Sequence, residues 1–151
     1  MTAAGGIFAL AMATMASLSC GTAIAAGASS VVGDWYGLGQ PHDKEMAYLD
    51  HIKPDGTYVS EFEVCNGKKS EHHIESGTWS SSPDITRVVT AVIDNRPVHF
   101  QYDYAMVSND GKTWIYRIAA SEPENPAAIG YQFNARRVGA DFRMPGCLQI
   151  S

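Results

Sequence analysis

The sequence predicts an all-β domain, an eight-stranded antiparallel up-and-down barrel preceded by a signal peptide. Three observations predict it. From Val31 onward apolar residues recur with period two, turn signals interrupt them about every 8 to 12 residues, and no stretch carries a competing helical period. Strands joined in order by short links bury their edges most simply by closing on themselves, which makes a barrel the expected outcome.

The strands are expected near 31–37, 46–52, 57–65, 71–80, 85–94, 97–107, 112–119 and 128–138. In the third, Tyr58, Ser60, Phe62 and Val64 alternate with Val59, Glu61, Glu63 and Cys65. The sixth is the clearest: Val98, Phe100, Tyr102, Tyr104 and Met106 share one face, with His99, Gln101 and Asp103 on the other. Trp114, Tyr116 and Ile118 alternate with Ile115 and Arg117 in the seventh. Such alternation belongs to half-buried strands. Lys53-Pro54-Asp55-Gly56 and Ser108-Asn109-Asp110-Gly111 read as tight turns whose glycine supplies a positive φ. Asn66-Gly67, Ser82-Pro83-Asp84 and Asn95-Arg96-Pro97 are further turn candidates. Two links, 38–45 and 120–127, are longer, polar and Pro- or Gly-bearing, and are expected to form the rim. The tail from Gly139 to Ser151 has no strand pattern, so one domain spans 31–151.

The first 25 residues read as a signal peptide. Met1 to Val32 carries no Lys, Arg, Asp or Glu; Ile7 to Ala13 forms an apolar core, and Ala23-Ile24-Ala25 is a small-residue cleavage site. The run is Ala- and Gly-rich and broken by Thr14, Ser17 and Ser19, so no stable membrane span is expected. A second processing route keeps Cys20 as the lipid-modified first residue of an anchored lipoprotein, although Ser17 stands where such sites usually place Leu. Periplasmic or secreted localisation follows from cleavage after the small-residue site, and an anchored lipoprotein is the alternative that Cys20 offers. If Cys20 leaves with the leader, Cys65 and Cys147 remain as an even pair in an oxidising compartment and should be bonded.

The 11 Lys and Arg are scattered against 16 Asp and Glu, giving a net charge of −5. Nucleic acid wants a basic stripe, so none is expected as a partner. Five histidines are present. Glu71-His72-His73-Ile74-Glu75 is the densest group, but alternation sends His72 to one face and Glu71, His73 and Glu75 to the other. A metal would need His73 with those carboxylates and His42, His51 or His99 from neighbouring strands; the reading assigns no metal and no cofactor. Nothing gathers the groups of a nucleophilic or acid–base site, and Asp50 and His51, adjacent in a strand, face opposite sides. The expectation is therefore a non-catalytic protein.

Gly33-Asp34-Trp35, a G-x-W at the start of the first strand, resembles the lipocalin-like (calycin-type) group of small-ligand-binding barrels. The resemblance implies that Trp35 closes one barrel end and that an Arg of the last strand, Arg136 or Arg137, lies across it. It also implies that a Cys65–Cys147 bridge ties the tail to the barrel wall. A second Gly-x-Trp stands at Gly77-Thr78-Trp79. The wider run, through Cys65, Asp110-Gly111-Lys112 and Ala135-Arg136-Arg137-Val138, is similar to small exported proteins of Gram-negative bacteria, which implies a periplasmic location and no particular activity.

The functional expectation is an exported barrel that binds a small, partly apolar molecule through the rim near 38–45 and 120–127. Phe100, Tyr102 and Tyr104 share a side, and Tyr116 and Tyr131 join them from the next two strands; these five are the expected ligand-binding residues. The alternative is an envelope interaction or inhibitor protein with a solid core, acting through its outer surface. A filled barrel favours the alternative; an aromatic cavity open at one end favours ligand binding.

Overall fold

The computed structural model describes residues 31–66 and 69–147. The leader, its cleavage site and Cys20 lie outside the described residues. Eight antiparallel strands follow one another around a closed barrel: β1 (Gly33–Gln40), β2 (Asp43–Ile52), β3 (Thr57–Asn66), β4 (Lys69–Ser81), β5 (Ile85–Ile93), β6 (Arg96–Asn109), β7 (Thr113–Glu122) and β8 (Gln132–Val138). β1 closes the barrel on β8, with Trp35 opposite Arg137 and Gly37 opposite Ala135. No helix long and apolar enough to cross a membrane occurs among the described residues.

The turn chemistry sets the register. Asp55 accepts the Thr57 backbone N–H at 2.9 Å and its hydroxyl at 2.6 Å, and Gly56 takes φ +83°. In the β6–β7 turn Asp110 accepts the N–H groups of Lys112 and Thr113, and Gly111 takes φ +81°. These side-chain acceptors hold backbone donors that no ladder reaches. The β5–β6 turn falls one residue earlier than expected, on Asp94 and Asn95. Both have positive φ, as a two-residue hairpin of matching twist requires, and this leaves Pro97 inside β6.

Of the two expected rim links, the first is shorter than its composition implied and the second is displaced along the chain. β1 and β2 run through most of 38–45 and leave Pro41 and His42 as the turn, with an irregular register between Leu38 and Gln40 where Gly39 takes φ +91°. β7 continues to Glu122, so the long link is 123–131, and β8 starts at Gln132 rather than 128. That link folds back on itself: Ala128 N–H donates to Asn125, and Gly130 N–H to Ile118. It carries Ala128 into the core, where it is 1% exposed.

Alternation then divides the side chains. Trp35, Tyr48, Ile52, Trp114, Tyr116 and Phe133 point inward into one buried cluster. At one end Trp35 is fully buried, donates its indole N–H to the Val31 carbonyl at 2.8 Å and meets Trp114 edge-on at 5.6 Å. Gly37 has a packing reason to be glycine, because a Cβ there would enter the Tyr48 ring. Outside the barrel, Tyr36, Ala47 and Leu49 form a second cluster covered by Phe142 and Met144 of the tail. The Arg136 guanidinium lies 5.0 Å from the Tyr36 and Phe142 ring centres, and a Cys65–Cys147 disulfide with a Cα–Cα distance of 5.4 Å pins the tail.

Candidate functional site

The barrel is hollow. A cavity of about 380 Å³ runs from Trp114 and Ile52 near the Trp35 end to Pro41 and His42 of the β1–β2 turn and Asn125 of the β7–β8 link. It thus reaches the end where both sequence-expected rim segments lie. This size falls within the range that accepts small organic ligands.

Of the five expected ligand-binding residues, Tyr102, Tyr104 and Tyr116 line the cavity. Their rings form a continuous wall, with Tyr104 stacked beside Tyr102 at 6.0 Å and edge-on to Tyr116 at 5.3 Å. Phe100 and Tyr131 do not line it. Phe100 shares the inward parity of Tyr102, but the β6–β7 pairing begins only at Gln101 opposite Glu122, so Phe100 stands past the last rung. Tyr131 precedes β8, packs its ring edge-on to Phe133 at 4.9 Å and directs its hydroxyl toward Gly39. Tyr116 belongs as much to the core as to the cavity. It is 5% exposed, stacks on Phe133 at 4.9 Å and donates its hydroxyl to that of Tyr48 at 3.3 Å.

Polar groups that the sequence reading had not placed in the site form a band across four strands. Asp50, Ser60 and Glu75 occupy one cross-strand row on β2, β3 and β4. Ser60 donates to Asp50 at 2.6 Å, Thr90 of β5 donates to Glu75 at 3.4 Å, and the Tyr58 and Thr90 hydroxyls share a 2.6 Å hydrogen bond. Asp50, Ser60, Glu75 and Thr90 all face the cavity. The signal was present in the alternation: Asp50 has the parity of Tyr48 and Ile52, an acid in an otherwise apolar face.

Burial dominates the electrostatics of this band. Loss of water pushes the Asp50 carboxyl up to about 6 even though Ser60 donates to its charged form. Glu75 is pushed up to about 6 by burial first and by the Asp50 charge second. Burial, with Asp50 adding to it, also raises Tyr48, Tyr104 and Tyr116, so these phenols stay protonated. No Lys or Arg lines the cavity among the described residues.

The histidines divide between the cavity, which His42 and His73 line, and the outer surface. His51 faces outward, 2.8 Å from Asp34 and 3.4 Å from Glu61, so Asp50 and His51 do separate to opposite faces. His72 meets Glu61 on the same outer surface at 3.3 Å. His73 lies at the cavity but turns its Nδ1 to Asp94 at 2.7 Å. Among the described residues no group of three or more His, Cys, Asp or Glu is arranged to hold a metal ion.

The Trp35 end answers the question of which arginine lies across it. Arg137 does, its guanidinium 4.4 Å from the Trp35 ring centre, held by hydrogen bonds to the carbonyls of Gly111 at 2.7 Å and Val32 at 2.9 Å. Arg136 faces the other way, onto the tail. The chain matches no protein-family model, no curated protein and no solved structure.

Proposed function

We propose that this protein is an exported, non-catalytic, lipocalin-like barrel that binds a small, partly apolar molecule inside its cavity. The observation that carries the reading is the hollow core: an aromatic-walled space of about 380 Å³, shut at the Trp35 end and reaching the opposite mouth. A protein acting only through its outer surface gains nothing from this void, because each unfilled volume forfeits packing. Trp35 under Arg137 and the tail bridged through Cys65 and Cys147 support the lipocalin-like part of the reading. The disulfide also fits an oxidising compartment, periplasmic or extracellular. Thermal shift with a panel of fatty acids, isoprenoids and flavonoids tests the proposal. At least one class should raise the melting temperature in a concentration-dependent way, and a panel without any effect would return the protein to the surface-interaction alternative.

A further inference from the structure

Apolar walls alone would suit a hydrocarbon, but the cavity also holds carboxylates and, among the described residues, no Lys or Arg. Among the described residues Asp50 uses one carboxylate oxygen to accept from Ser60 and has no donor at Oδ2; Glu75 likewise spends only Oε2, on Thr90. The hydroxyl of Tyr104, deep in the barrel and close enough to feel both carboxylates, makes no hydrogen bond among the described residues. The donors of the band, Ser60 and Thr90, are already engaged with these acids. What remains open toward the cavity is one oxygen of each carboxylate and the Tyr104 hydroxyl, which can donate or accept, inside walls of Tyr102, Tyr104 and Tyr116.

Two carboxylates brought out of water without a cation are costly, and a fold keeps such a pair only if something compensates it. Among the described residues no Lys or Arg lines the cavity to do so, and of the two histidines that line it, His42 lies in the β1–β2 turn and His73 is turned to Asp94. A ligand can supply the compensation itself. An ammonium group offers several donors and one positive charge to acceptors that lack both, and aromatic faces attract the same cation. An alcohol of equal shape offers one donor and no charge, and a carboxylate would be repelled.

Resting on the ligand-binding reading, we infer that the cavity selects a molecule with an aromatic or alkyl body and a protonated amine, whose ammonium lies between Asp50 and Glu75.

Calorimetric titration at pH 8 with 2-phenylethylamine, 2-phenylethanol and 3-phenylpropionate tests it, because the three share a body and differ in charge. The amine should bind at least tenfold more tightly than the alcohol, with the acid weakest. In Asp50→Asn with Glu75→Gln the ratio of amine to alcohol affinity should fall to near one while the alcohol still binds measurably, which separates loss of the preference from loss of the cavity. Equal binding of amine and alcohol to the wild type would overturn the inference and leave the apolar pocket standing. So would an advantage that survives both substitutions. If none of the three binds and the broader apolar panel also fails, the ligand-binding reading falls, and this inference with it. If the doubly substituted chain does not fold, Asp50→Asn alone carries the comparison, and an unchanged preference there counts against the inference.

Discussion

Arg137 holds its guanidinium 4.4 Å over the ring of Trp35, and the two residues are cross-strand partners where β8 closes on β1. One contact therefore caps the barrel and joins its first and last strands. The guanidinium is fixed to the Gly111 and Val32 carbonyls, so the stack is anchored at both edges of the seam. Trp35→Ala should remove a fully buried indole and cost about 3–5 kcal/mol. Urea unfolding measures this directly; a variant within error of the wild type would mean that the end is not closed by Trp35.

The tail makes a second seam. Cys65 and Cys147 are 82 residues apart in sequence, and their bridge holds Phe142 and Met144 over Tyr36 and Leu49. Closing a loop of that length should stabilise by about 4 kcal/mol on the chain-entropy account. Alkylation of the folded protein without reductant should label neither cysteine, and reduction should lower the melting temperature. Labelling of both in native material would refute the bridge.

Asp50 gives the pH dependence. Its carboxyl is held at about 6 in the fold against an ordinary 3.8, so the folded protein binds this proton more tightly than the unfolded chain. Stability from this group is full below the unfolded value and is lost as pH rises through about 6. Glu75, displaced the same way, adds to the trend. The groups that couple to Asp50 from within the barrel are the phenols and Glu75; the His51 imidazole stands on the outer face. Asp50→Asn should therefore stabilise the ligand-free protein at pH 8 by about 2–3 kcal/mol, with the gap closing toward about pH 4. An equal stability of the two proteins at pH 8 would show that the carboxylate is already compensated.

Tyr102 and Tyr116 separate binding from folding. Tyr102 lines the cavity with one stacked neighbour, whereas Tyr116 is wedged between Trp114 and Phe133. Tyr102→Ala should weaken an apolar probe several-fold with little change in melting temperature. Tyr116→Ala should do both, costing about 3 kcal/mol or more of stability. The reverse pattern would put the binding surface elsewhere.

The architecture was legible because period-two alternation and Gly- or Asp-based turns are local signals. Tyr58, Phe62 and Trp114 face inward for the reason their spacing gives. What local signals do not carry is where strands end against each other. Gln101 meeting Glu122 leaves Phe100 beyond the β6–β7 ladder, and the fold of 123–131 sets Tyr131 edge-on against Phe133. The choice between Arg136 and Arg137 likewise rests on the β1–β8 register. The acidic band was missed for another reason. Asp50, Ser60, Glu75 and Thr90 come from four strands, and only barrel closure brings them to one wall.

The central claim is that the cavity takes up a small apolar molecule, and titration with the neutral fluorescent probe N-phenyl-1-naphthylamine tests it most directly. The wild type should bind it one to one with a dissociation constant on the order of micromolar. Ser60→Phe, which places a ring in the middle of the cavity, should abolish the signal while retaining a cooperative melting transition. No enhancement with the wild type, or binding that Ser60→Phe leaves intact, would contradict the account.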